Sequence, residues 1–146
     1  MKRTAAKQLL RYFFILILLI AALYLKKDYF WSEPASGAIS VETAHSRQQS
    51  EVQVVGSGRI AVLLADDTKG TRHQKFIVRV NESLTVLISH NIDLAPRIND
   101  LRKGEHIEFS GEYIYNTKGG LVHWTHHDPN NRHAGGWLQY QGRTYQ

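Results

Sequence analysis

Four of the chain's eight histidines and two of its three tryptophans fall between His123 and Trp137, in the string HWTHHDPNNRHAGGW. Imidazole binds metals and exchanges protons near neutral pH, so such a cluster raises the question of a site. There are no cysteines, so a metal here has only His and carboxylate side chains to hold it. If LVHWTHH is a strand, its side chains alternate: Val122, Trp124, His126 and Asp128 share one face, and Leu121, His123, Thr125 and His127 the other. Residues two apart on a strand lie roughly 7 Å apart and can share an ion; residues four apart lie roughly 13 Å apart and cannot. The usable pair is then His126 with Asp128. A third ligand has to come from His133, across the Pro129-Asn130-Asn131 turn, or from His90 or His73 at the ends of other strands. This set would hold a divalent ion such as zinc and activate its water, with His123 or His127 as general base.

A second chemistry is recognition. Trp124, Tyr113, Tyr115 and Trp137 offer stacking surfaces and Arg132 a charge, which suits a ligand-binding rim. A third reading is structural: His and Asp beside Pro-Asn-Asn satisfy turn backbone groups, and the tryptophans cover the sheet. Elsewhere, Asp66-Asp67-Thr68 reads as a polar turn. His90-Asn91-x-Asp93 has the residue types of a proton relay, although His90 follows Val86 and Ile88 on one face and reads better as a core-edge histidine bonded to backbone. No GxSxG, P-loop or HExxH string occurs.

The elements that must position these residues begin at Val52. VQVVGSGRIAVLLA, KFIVRV, LTVLISH, HIEFSGEYIY, LVHWTHH and WLQYQ are short apolar or alternating runs separated by Gly, Asn, Asp and Lys turns. Gly111 suggests a bulge where the sheet curls. Leu94, Ile98 and Leu101 have helical spacing after the third strand. Five to six strands with one short helix there predict an all-β fold, a small OB-like barrel over 52–146.

Tyr12 to Leu25 lacks any polar side chain except its two tyrosines. With Leu9, Leu10 and the snorkelling cations Arg11, Lys26 and Lys27, it reads as a membrane anchor over 9–27, and a cleaved signal peptide is the rival. Lys2, Arg3, Lys7 and Arg11 precede it, so residues 1–8 are expected in the cytoplasm and the domain outside, in the periplasm or at the cell exterior. Residues 28–51 read as a flexible tether, with His45 solvated in it. The net charge of +5 belongs to the N-terminus: residues 51–146 carry eleven basic and ten acidic side chains. That near balance argues against duplex nucleic acid as a partner.

RHQKF (Arg72 to Phe76), HNIDLAPRI (His90 to Ile98), GGLVHWTHHDP (Gly119 to Pro129), GGW (Gly135 to Trp137) and GRTY (Gly142 to Tyr145) together resemble the signature of the bacterial family called domain of unknown function 3465. The resemblance covers roughly Ile60 to Tyr145. It implies a small, exported or membrane-anchored bacterial protein and assigns no catalytic residue. The preferred reading is a membrane-anchored binding module of the inner membrane for an envelope glycan, peptide or protein. A metal-dependent hydrolase using HWTHHD, of phosphodiesterase or nuclease type, and an envelope assembly factor are the alternatives.

Overall fold

A computed structural model describes residues 12–18, 20–21 and 37–146. The chain divides into two units, Met1–Glu33 and Pro34–Gln146. In the first, residues 12–18 and 20–21 are helical, and their apolar side chains are exposed. No helix among the described residues is long and apolar enough to cross a membrane. The expected anchor and its orientation lie for the most part outside the described residues.

The second unit is all-β with one short helix. In chain order it has β1 (Ile39–Ser40), α1 (Val41–Ser46), β2 (Val52–Leu63), β3 (His73–Arg79), β4 (Thr85–Asn91), β5 (His106–Ile114), β6 (Leu121–His123), β7 (Trp137–Tyr140) and β8 (Arg143–Tyr145). β2 pairs antiparallel with both β3 and β5, β3 with β4, and β5 with β6; β4 and β6 pair parallel. These five strands close a barrel. β1 adds parallel to β2, and β7 and β8 extend from β5. Closure rests on the length of β2, whose first eight residues pair with β5 and whose end pairs with β3. The alternation in β3 and β4 sends Phe76, Val78, Val86 and Ile88 inside, where they meet Ile107 and Phe109 of β5. Burying such a core is the main driving force for the fold.

Three expectations change. First, the bulge lies in β2, between Ile60 and Val62, and the β2–β5 ladder runs in regular register through Gly111. Gly111 serves close approach instead: a Cβ there would lie 2.3 Å from the carbonyl oxygen of His123. Second, the segment after β4 is a series of turns. One helical bond forms, from the Ala95 N–H to the Asn91 carbonyl, and Pro96 then ends it by lacking an N–H and restricting Ala95. Third, the tether expected over 28–51 has structure of its own from Gly37 on. Ser40 caps α1 by accepting from the Thr43 N–H, and Val41 and Ala44 are fully buried in the core. His45 is no solvated linker residue, because its Nδ1 donates to the Tyr113 hydroxyl at 2.8 Å.

Candidate functional site

β6 stops at His123 because Trp124 takes a left-handed φ of 52°. The alternation expected to run on to Asp128 ends there, so His126 and Asp128 are not neighbours on a strand face. The chain turns back over residues 124–136 and closes when the Gly136 N–H donates to the His126 carbonyl at 3.0 Å. A Cβ on Gly136 would sit 2.1 Å from the Trp124 carbonyl and 2.4 Å from that of Ser110, so the return requires glycine. Asp128 organises the loop. Its carboxylate accepts from the N–H groups of Asn130 (2.9 Å), Arg132 (2.7 Å) and His133 (2.9 Å). The Asn130 bond, joined by those to Arg132 and His133, holds the carboxyl below its ordinary range against the opposing effect of burial.

The five residues expected to share a metal bond to different partners. His126 Nδ1 donates to the His127 carbonyl, and His73 Nδ1 to that of Thr71. His90 is fully buried: its Nε2 donates to the Pro96 carbonyl at 3.2 Å, so its Nδ1 accepts from the Thr125 hydroxyl at 2.8 Å. Burial, ahead of a repulsive contribution from His126, pushes the His90 pKa down to about 4 despite the bonds to Pro96 and Thr125. Asp128 is occupied by the loop backbone and His133 by Glu112. Among the described residues no three His, Asp or Glu side chains are placed to hold a metal ion. The relay reading of His90-Asn91-x-Asp93 fails too, since Asp93 binds Arg72 and Asn91 caps the Asp93 N–H. Asp66 pairs with Arg97 and Asp67 with Lys75, so these two carboxylates do not act as a pair.

The loop does bring three groups together. Glu112 of β5 lies directly across from His123 of β6, and its Oε1 accepts from His123 Nε2 at 2.9 Å. Its Oε2 accepts from His133 Nε2 at 2.8 Å, and His133 Nδ1 faces the Ala134 carbonyl at 2.9 Å. Both ring nitrogens of His133 meet acceptors, an arrangement that only the imidazolium satisfies fully. Burial pulls the His133 pKa down, but the Ala134 carbonyl and Glu112 outweigh it and set the pKa above its ordinary value. The Trp124 ring stacks on His133 with centroids 4.2 Å apart and planes 8° from parallel. Glu112 escapes a search for metal-ligand spacing because it is eleven residues before His123 and meets it only through strand register.

The stacking residues also separate. Tyr113 is fully buried inside the barrel, where its hydroxyl donates to the Gly119 carbonyl and burial pushes its pKa up to about 12. It is a core residue and not a ligand platform. Tyr115 is half-buried against His45, and Trp137 is half-buried on β7 opposite Ser110. Arg132 and His127 are exposed.

What the outer wall offers is aliphatic. Strand register sets Val62 beside Ile77, Ile77 beside Leu87, Leu87 beside Leu121, and Leu121 beside Ile114. Val62 is exposed and the other four are partly buried, in a row that runs round the barrel wall across β2, β3, β4, β6 and β5. Lys75 and Ser89, paired across β3 and β4, and His123 with Glu112 stand along one side of it. The family described as Protein of unknown function (DUF3465) matches residues 25–146. No curated protein and no solved structure matches the chain.

Proposed function

This chain belongs to the family described as Protein of unknown function (DUF3465), and we propose that it is an OB-like binding module, anchored to the inner membrane by residues 9–27 with its barrel facing outward. The ring order supports the OB-like assignment: three antiparallel strands, a parallel pairing of the third with the fifth, and a fourth that closes on the first. The single observation carrying the binding reading is the aliphatic row from Val62 to Ile114 on the outer wall. An aliphatic row between polar side chains suits an apolar peptide or protein segment. It suits a glycan less well, because sugars favour open aromatic faces: Tyr113 is inside the barrel, and Trp124 has a face taken by His133. The hydrolase reading gains no support, since the donor set it needs is spent on other bonds.

A photo-crosslinking side chain at Leu87 or Leu121 in the full-length protein, made in cells, tests this. It should give a discrete adduct that Ile77→Asp abolishes, whereas the same probe at Thr144 should give none. Equal labelling from Thr144, or none from the row, would refute the binding surface. Protease added to spheroplasts should digest the barrel; full protection would overturn its outward placement.

A further inference from the structure

At one end of the outer wall, two arginines and a histidine stand in a row across three strands. Arg59 of β2 lies directly opposite Arg79 of β3 on one side and His106 of β5 on the other. All three are exposed, and cross-strand partners project from the same face, so the two guanidinium groups and the imidazole stand side by side. Like charges directly opposite one another destabilise a sheet. Among the described residues, neither Arg59 nor Arg79 has a carboxylate in an ion pair, unlike Arg72, Lys75 and Arg97, each of which has one.

These side chains line a groove of about 400 Å³ together with Ser57, Asn81 and Glu82. Two of its donors are held in place. Arg59 Nη1 donates to the Gly104 carbonyl at 2.9 Å, which fixes the guanidinium and leaves its other N–H groups free to point elsewhere. The Asn81 Oδ1 accepts from the Ser83 and Leu84 N–H groups and the Ser83 hydroxyl, which orients the amide and directs its NH2 away from that turn. Glu82 stands on the groove's lip, and Glu108 lies one row along, opposite Ser57. Neither is paired with the arginines.

We propose that this groove is an oxyanion site for a phosphate group, bound by Arg59 and Arg79 with Ser57, Asn81 and His106 as further donors. Two adjacent guanidinium groups present planar N–H forks that match a tetrahedral oxyanion, and the bound charge relieves the repulsion between them. The phosphate could belong to a free phosphate compound or to a phospholipid headgroup, which are chemically alike at this groove. The inference does not depend on the aliphatic row and survives its failure.

The test titrates the full-length chain in neutral detergent micelles by calorimetry at fixed ionic strength. One arm adds inorganic phosphate; the other adds micelles containing phosphatidylglycerol. Saturable binding in either arm is expected to weaken by at least about tenfold in Arg59→Gln and in Arg79→Gln and to stay unchanged in Arg143→Gln, because charge-assisted bonds are local. Binding of inorganic phosphate assigns the site to free phosphate compounds, and binding only of the doped micelles assigns it to headgroups. Without ligand, Arg79→Gln should be at least as stable as the wild type, since it removes a repulsion. No saturable binding in either arm, equal weakening by Arg143→Gln, or an Arg79→Gln variant less stable than the wild type overturns the proposal.

Discussion

His90 makes the fold sensitive to mild acid, and the size of the effect follows from its surroundings. The ring is fully buried, donating to Pro96 and accepting from Thr125, and its pKa is about 4 against an ordinary 6.5. A histidine held neutral in the folded chain binds a proton more readily when unfolded. Its stabilisation is therefore complete above the unfolded value and is lost as pH falls from there toward the folded value. The whole shift corresponds to about 3 kcal/mol, of which about 2 kcal/mol disappears between about pH 6.5 and about pH 4.5. That interval isolates His90 from the other shifted groups. His133, with its pKa raised, contributes stability that is fully present below the unfolded value and is lost only as pH rises through its folded value. Asp67, Asp93, Asp128 and Glu105 have lowered values, so their contributions are lost in more acidic solution. Urea unfolding followed by tryptophan fluorescence across that interval should show the loss in the wild type. In His90→Gln, whose amide can still meet Pro96 and Thr125 but does not titrate, the slope should flatten. A wild type with flat stability, or a slope that persists in the variant, would refute the assignment.

Asp128→Ala removes the acceptor of three backbone N–H groups and should cost about 2–3 kcal/mol by urea unfolding. A loss well under 1 kcal/mol would mean that water replaces the carboxylate. Glu112→Gln should lower the His133 titration midpoint measured by NMR, because the Glu112 charge and hydrogen bond raise it; an unmoved midpoint would contradict the ion pair. Gly136→Ala forces a methyl group against the Trp124 and Ser110 carbonyls and should destabilise the chain by about 1–3 kcal/mol, with a change in tryptophan emission as the loop shifts. An unchanged melting curve would show that the loop adjusts freely.

The barrel strands were readable because each buries one face, and burial imposes a period of two on the sequence. The same rule failed where tertiary contacts, and not periodicity, decide the outcome. α1 spans only six residues, too few to set Val41 and Ala44 apart from a tether, and its stability comes from burying those two against β2 and the core. The opposite holds after β4. Leu94, Ile98 and Leu101 have helical spacing, yet Pro96 stops the first turn, and Ile98 is fixed through the Gln74 side chain, which donates to its carbonyl and accepts from its N–H.

In the histidine segment, spacing along a strand is the wrong rule. Spacing along a strand made His126 and Asp128 partners, but one left-handed residue, Trp124, ended the strand before either was reached. Few side chains other than glycine and asparagine adopt that conformation, so nothing local to Trp124 announces it; it follows from the return of the loop to Gly136. Glu112, in contrast, was recoverable. Asn116-Thr117-Lys118-Gly119-Gly120 marks a turn between two apolar runs. Once Ile114 is set opposite Leu121, stepping away from the turn brings Tyr113 to Val122 and Glu112 to His123. The partner of a strand-end histidine is chosen by hairpin register, and a carboxylate so placed can orient the histidine and also capture a second one from the loop that follows. A search for sites in small barrels therefore gains more from counting across each hairpin than from counting along the chain.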